Sequence, residues 1–96
     1  MNASETAWRA QMWRENNPRA WAFKEGLGEA DYLAGRRISI SRLVELCRAK
    51  DFATNDGERF RISNSYRAAF ARMLVKDHPE WRGLIVLHKS KLDGLV

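Results

Sequence analysis

The residues whose chemistry is easiest to interpret are the cations of residues 59–81, RFRISNSYRAAFARMLVKDHPEW. Five Lys and Arg side chains in this segment alternate with apolar residues that are spaced for one face of a helix. Cationic side chains bind phosphate, so an apolar stripe opposite a cationic stripe suits a helix that packs on one face and meets a nucleic acid with the other. The segment therefore predicts a DNA-contacting helix.

Two kinds of contact are expected from that helix. Asn64 and Arg67, near its N-terminal end, would reach base edges in the major groove, whereas Arg72 and Lys76 would hold phosphates. Flanking contacts are expected from both sides of the helix and from the helix that precedes it. The predicted DNA-binding residues are Asn64, Ser65, Arg67, Ala68, Arg72, Lys76, Arg59, Arg61, Lys89, Lys91 and Arg42.

The other chemically versatile residues do not form a recognisable catalytic set. His78 lies beside Asp77 and Glu80 where a helix ends, and these residues lack the spacing of a metal-ligand motif. Cys47 falls on the apolar face of its helix, which predicts a small buried side chain rather than a nucleophile. No enzyme activity, metal site or cofactor is predicted.

The charge distribution supports a polyanionic partner. Residues 1–35 hold four basic and five acidic side chains, whereas residues 36–96 hold thirteen basic and seven acidic ones. An imbalance of this kind, in a chain of net charge +5, is typical of nucleic-acid binding. Double-stranded DNA is the predicted partner, and the 96 residues are expected to form a single domain with an N-terminal helical part and a basic remainder.

Sequence features also indicate the compartment. The single cysteine predicts no internal disulfide, which fits a reducing environment. The longest apolar run, LIVL at 84–87, is too short to span a bilayer, and MNASETAWR lacks the pattern of a secretory leader. A soluble cytoplasmic protein without membrane association is expected.

The elements that must position these residues follow from caps and periodicity. Ser4, Asn17 and Ser41 are the expected N-caps, Pro18 the first residue of the second helix, and Gly35 its C-terminal stop. The predicted elements are helices near 4–15, 18–34, 41–50 and 64–77, a hairpin within 52–62 and a strand over 84–88. The predicted core residues are Trp21, Phe23, Leu27, Leu43, Leu46, Phe70, Met73 and Leu74. The fold class is mainly α with a small sheet, an α+β arrangement.

The segments ISISRLVELCR, ISNSYRAAFARML and GLIVLHKSKLDG follow one another in an order that resembles a winged helix-turn-helix. In one layout the helix at 64–77 reads the DNA, and the hairpin is an insertion. About thirteen residues separate the two helices, which is long for a compact helix-turn-helix. In a second layout the hairpin is the wing, the helix at 41–50 reads the DNA through Arg42, Arg48 and Lys50, and the later helix supports it.

The chain also resembles a group of small, uncharacterised phage and prophage proteins over most of residues 10–85. The matching residues are Asn17-Pro18, Trp21, Phe23, Gly35, Leu43, Arg48, Ile62, Asn64, Ala71-Arg72, Leu74 and Pro79-Glu80. The pattern departs at LIVLHKSK, where a Phe-x-x-x-Arg is expected. This resemblance implies an origin in a mobile element and a bacterial cytoplasm, and it implies no particular activity.

Tryptophans concentrated near the N-terminus suggest an alternative. Trp8, Met12 and Trp13 lie at helical spacing, and together with Trp21 they exceed what a small core usually needs. They could cover a partner surface, either in a homodimer or against a host protein. The alternative function is therefore a small phage-encoded inhibitor, of the anti-defence type, that binds a host protein.

Overall fold

The computed structural model of the chain describes residues 2–50 and 64–87. Four α-helices account for most of these residues, and a short 3-10 helix, Pro79–Trp81, follows the last of them. The α-helices are α1 (Ala3–Asn16), α2 (Pro18–Leu33), α3 (Ile40–Ala49) and α4 (Asn64–Asp77). The four predicted helices are confirmed, with each boundary within one residue of its expected place.

The predicted α+β, winged-helix-like class is wrong. Within 2–50 and 64–87 there is neither a strand nor a sheet, only an isolated β-bridge between Arg82 and Ile85. The residues expected to form a strand are joined to the connection between α2 and α3 instead, since the N–H of Ile38 donates to the carbonyl of Leu84 at 3.0 Å and Ile85 is buried. The end of the apolar run faces solvent, with Val86 53% and Leu87 41% exposed. The predicted hairpin at 52–62 lies outside the described residues.

Two helices begin at caps earlier than expected. The side chain of Asn2, rather than Ser4, accepts the N–H of the residue three positions on, at 2.8 Å. Ser39, rather than Ser41, does the same for α3 at 3.3 Å. Each cap satisfies an N–H group that the first helical turn leaves without a partner.

The connections around α2 follow the expected chemistry with one difference. Pro18 is the first residue of α2, and Gly35 follows its C-terminus with φ +70°, a left-handed conformation that favours glycine. Asn17 is the N-cap of α2 by position, but its side-chain amide donates to the carbonyl of Trp13 at 2.8 Å. The side chain therefore closes the end of α1 instead of the start of α2.

All four helices contribute to one core. Phe70 lies at its centre, with its ring centroid 5.1 Å from that of Trp13, 5.5 Å from Trp21 and 5.9 Å from Tyr66. Of the predicted core, Trp21, Leu43, Phe70, Met73 and Leu74 are buried, as is Cys47, while Phe23 and Leu27 are partly buried. The prediction that Leu46 is a core residue is wrong. Its side chain is 37% exposed, and Val44 takes the inward position on α3 instead.

Helix α4 is the central element rather than a surface helix. Every residue from 69 to 75 is buried, including those opposite the predicted apolar stripe. Ala69 and Ala71 are small enough for neighbouring helices to approach α4 closely, and α1, α3 and the 3-10 helix all pack against it. A helix enclosed in this way has no open cationic face over these residues.

Trp81 is a core residue, although it is not among the predicted core residues. Its side chain is fully buried and lies against Gly28 of α2. A Cβ atom at position 28 would stand 2.6 Å from Cη2 of the Trp81 ring. Glycine at position 28 therefore permits the close approach of the segment that follows α4.

Gly28→Ala is expected to lower the free energy of unfolding by about 1–3 kcal/mol, because the added methyl group overlaps the Trp81 ring. Gly26→Ala is the matched control in the same helix, since no atom lies within 4 Å of a Cβ there. That control should gain roughly 0.5–1 kcal/mol from helix propensity. Urea unfolding of both variants measures the difference, and equal stability of the two would contradict the packing of Trp81 on Gly28.

Candidate nucleic-acid interface

The cations of α4 do not form an exposed line. The Nη2 atom of Arg67 lies 2.7 Å from Oε1 of Glu45 on α3. Arg72 is 9% exposed, and its Nη1 donates to the carbonyl of Ala68 at 2.9 Å. Lys76 is exposed near the end of the helix. The DNA contacts predicted for these residues stay predictions, but two of the three cations have partners within the protein.

The remaining predicted contacts divide between the start of α4 and other segments. Asn64 and Ser65 open α4, and Ala68 is partly buried one turn on. The others, Arg59, Arg61, Lys89 and Lys91, lie outside the described residues. The structure therefore brings the predicted α4 residues onto one helix without bringing their charges to one surface.

A groove of about 260 Å³ runs between α1 and α4 beside Lys76. An ion pair between Arg14 and Asp77, 2.5 Å from Nη2 to Oδ2, lies in its wall. Its lining residues are Gln11, Arg14, Glu15, Met73, Lys76 and Asp77. Because acids and bases balance in this lining, the groove has no preference for an anion.

Helix α3 presents the clearest basic surface among the described helices. Its inner face buries Leu43, Val44 and Cys47. Its outer face exposes Arg42 in the first turn, Glu45 and Arg48 along the middle, and Lys50 just past the end. An ion pair joins Arg48 to Glu45 at 3.2 Å. The expected separation of an apolar and a cationic side is therefore found on α3.

The turn before α3 adds two further arginines. Arg36 and Arg37 are exposed directly after Gly35. The Asp31 carboxylate, 2% exposed, lies beside Arg36 and Arg42: its Oδ1 lies 3.0 Å from Nη2 of Arg36 and its Oδ2 lies 2.5 Å from Nη1 of Arg42. No ion pair links Arg37 to another residue within 2–50 or 64–87. The turn and the first turn of α3 thus carry three exposed arginine side chains.

Arg36, Arg37 and Asp31 were not among the residues predicted to contact DNA. The sequence did contain a signal for the two arginines, which is the Gly-Arg-Arg sequence at the point where the chain changes from slightly acidic to basic. A turn between two helices is solvent-exposed by default, so paired arginines in it are accessible to a ligand. Asp31 carries no such signal, because its burial depends on the tertiary structure.

Lys24 is the most unusual charged residue in the described core. Its side chain is fully buried on α2, and its Nζ lies 4.0 Å from the ring centroids of both Trp13 and Phe70 and 5.3 Å from that of Trp21. Burial lowers the pKa of Lys24 to about 7, and the neighbouring Cys47 acts in the opposite direction. Burial likewise raises the pKa of the Cys47 thiol, which donates to the carbonyl of Ala20 at 3.6 Å.

His78 is held between two helices. Its Nε2 lies 2.7 Å from Oε2 of Glu25, its Nδ1 lies 3.6 Å from Oε1 of Glu80, and its ring stacks on Trp81 at 4.0 Å between centroids. These contacts fasten the end of α4 to α2. In the described part of the chain, no group of three or more His, Cys, Asp and Glu side chains could hold a metal ion.

The predicted partner surface on α1 is divided between core and solvent. Trp8 is 61% exposed. Met12 is half-buried, and Trp13 packs against Phe70 and Lys24 as part of the core. Of the three residues, Trp8 is the one whose ring is open to a partner.

Comparisons with protein-family models, with curated proteins and with solved structures find no match. The resemblance to phage proteins therefore stays a prediction. None of the helices within the described residues is both long enough and apolar enough to cross a bilayer.

Proposed function

We propose that this protein binds double-stranded DNA through the α3 basic surface, defined as Arg36, Arg37, Arg42, Arg48 and Lys50. The observation that carries the proposal is the pair of exposed guanidiniums, Arg36 and Arg42, that share the buried Asp31 carboxylate at the turn into α3, with the exposed Arg37 next to Arg36 in the chain. Arginine is well suited to phosphate because its planar fork donates two parallel hydrogen bonds.

The dimensions and charges of this surface support the proposal. Helix α3 has ten residues and is therefore about 15 Å long, which suits an approach to a major groove about 12 Å wide. Its first turn carries Arg42 and follows the exposed arginines of the turn. Glu45 lowers the charge further along the helix. The proposed DNA contact is therefore strongest at the N-terminal end of α3.

Arg37→Ala is expected to weaken binding to duplex DNA by about threefold to tenfold and to reduce the slope of log affinity against log salt by about one, because one phosphate contact is lost. Arg19→Ala is the matched control. Arg19 is also exposed, lies outside the ion pairs seen within the described residues, and sits at the other end of α2, about 24 Å from the turn. Fluorescence anisotropy over a salt series measures both variants.

The control should leave the salt slope close to that of the wild-type protein. Equal losses in the two variants would show that net charge alone attracts the DNA, and the α3 basic surface would then have no special role. Absence of wild-type binding at about 50 mM salt, where phosphate contacts are strong, would reject the proposal altogether.

The exposure of Trp8 favours a second candidate, which is binding to a host protein. A tryptophan that is 61% exposed on a helix is a common anchor of protein interfaces. In this case a host protein would co-purify at high salt after nuclease treatment, and Trp8→Ala would abolish the association while leaving DNA affinity unchanged. DNA binding predicts the opposite result, because the affinity for DNA falls as the salt concentration rises.

A further inference from the structure

The buried carboxylate of Asp31 forms ion pairs with two surface arginines at once. One of its oxygens faces Arg36 at 3.0 Å and the other faces Arg42 at 2.5 Å. The carboxylate is 2% exposed, whereas the arginine side chains are 63% and 47% exposed. Each guanidinium is therefore anchored from below while its outer side faces solvent.

The backbone at both arginines is fixed independently of this contact. The N–H of Arg36 donates to the carbonyl of Asp31 at 2.9 Å, directly after the left-handed Gly35. The N–H of Arg42 donates to the Ser39 cap at 3.3 Å. Because these hydrogen bonds already fix the backbone of the turn, the remaining role of the Asp31 carboxylate is to orient the side chains of the two arginines.

The anchored guanidiniums keep most of their donors. A guanidinium has five N–H groups, and the contact with Asp31 uses a single terminal nitrogen on each arginine. Two exposed guanidiniums that share one carboxylate and carry further N–H donors match the oxygens of a phosphodiester, which accept bidentate hydrogen bonds.

We propose that Asp31 is a positioning residue that holds Arg36 and Arg42 in the orientation in which they share one phosphate of the DNA backbone. This inference rests on the proposed function. It makes a prediction opposite in sign to that of charge alone. Removing an acid from a basic surface should by simple electrostatics tighten the binding of a polyanion, whereas loss of a positioning residue should weaken it.

Asp31→Asn is the test, because it keeps the shape of the side chain and removes its charge. We expect binding to a duplex of about 20 base pairs to become about fivefold to tenfold weaker at fixed salt, although the net charge rises by one. Arg36→Lys and Arg42→Lys keep the charge but lose the fork, so each should cause a similar loss. Arg19→Lys is the matched control, because Arg19 is exposed outside the α3 basic surface, and it should bind nearly as the wild type does.

Combined variants distinguish a positioning role of Asp31 from a purely structural one, because the effects of Asp31 and of the two arginines on DNA affinity should not add. If Asp31 acts through the two arginines, Asp31→Asn should have little further effect on DNA affinity in the Arg36→Lys, Arg42→Lys double variant. Circular dichroism at the temperature of the binding assay identifies the variants that are folded.

Binding by Asp31→Asn that equals or exceeds that of the wild type would overturn the inference. Should this variant not fold, wild-type affinity in both Arg36→Lys and Arg42→Lys would overturn it equally. The proposed function fails separately, when Arg37→Ala and Arg19→Ala cannot be distinguished. These results therefore separate an error about Asp31 from an error about DNA binding.

Discussion

The free energy of unfolding is expected to rise between about pH 7 and 8.5, with a slope that approaches about 1.4 kcal/mol for each pH unit, because of Lys24. In the folded protein burial lowers the pKa of Lys24 to about 7, whereas in the unfolded chain the amine keeps its ordinary pKa near 10.5. Between these values the unfolded chain binds one more proton than the folded protein. Stability therefore increases with pH in this window and is insensitive to Lys24 below it.

Cys47 limits this increase at higher pH. Its thiol has a raised pKa in the folded protein, so above about pH 8.5 the unfolded chain loses a proton that the folded protein keeps. This effect lowers stability as the pH rises and offsets the effect of Lys24. Cys47→Ala should therefore extend the rise in stability toward pH 10.

Urea unfolding at a series of pH values measures the effect, with Lys24→Met as the control. Methionine fills a similar volume without a titrating group, so the difference in stability between wild type and variant should change by about 2 kcal/mol from pH 7 to 8.5. A constant difference over this range would show that Lys24 titrates in the folded protein as it does in water.

Phe70→Ala is expected to lower the free energy of unfolding by about 3–5 kcal/mol, because it leaves a cavity among the aromatic rings that pack around Phe70. Phe70 is fully buried and contacts Trp13, Trp21 and Tyr66. A loss of this size is a large part of the total stability of a domain of this length. Chemical unfolding followed by tryptophan fluorescence measures it.

Leu33→Ala provides the control for Phe70→Ala. Leu33 is an apolar residue at the end of α2 that is 74% exposed, so its truncation should change stability by no more than about 0.5 kcal/mol. If the two variants were equally stable, Phe70 would not be the centre of the core.

Local signals explain why the helices could be predicted. Pro18 and Gly35 mark the ends of α2 through their backbone preferences alone, and polar caps precede α1 and α3. These effects act over a few residues and leave a record in the sequence. The prediction of a strand over 84–88 was wrong because an apolar run does not specify its partner, and here Leu84 accepts a hydrogen bond from Ile38 in the connection between α2 and α3 rather than from a second strand.

The candidate site was predictable only in part. The basic character of residues 36–96 pointed to a polyanion, and the second layout included Arg42, Arg48 and Lys50. The choice of α4 as the DNA-contacting helix depended on Arg72 facing solvent. The pattern could not show that this guanidinium folds back onto its own helix, nor that Lys24 lies among aromatic rings, since both depend on how the helices enclose them.

The central position of α4 has a consequence for the synthesis of the protein. Ribosomes add about 5–20 residues per second, so α4, which ends at Asp77, is complete roughly 1–6 s after α3, which ends at Ala49. During that interval the inward residues of the first three helices, such as Trp21 and Leu43, have no α4 to cover them. The nascent chain therefore exposes part of its future core before α4 is made, and chaperones that recognise apolar surface would meet it before the fold closes.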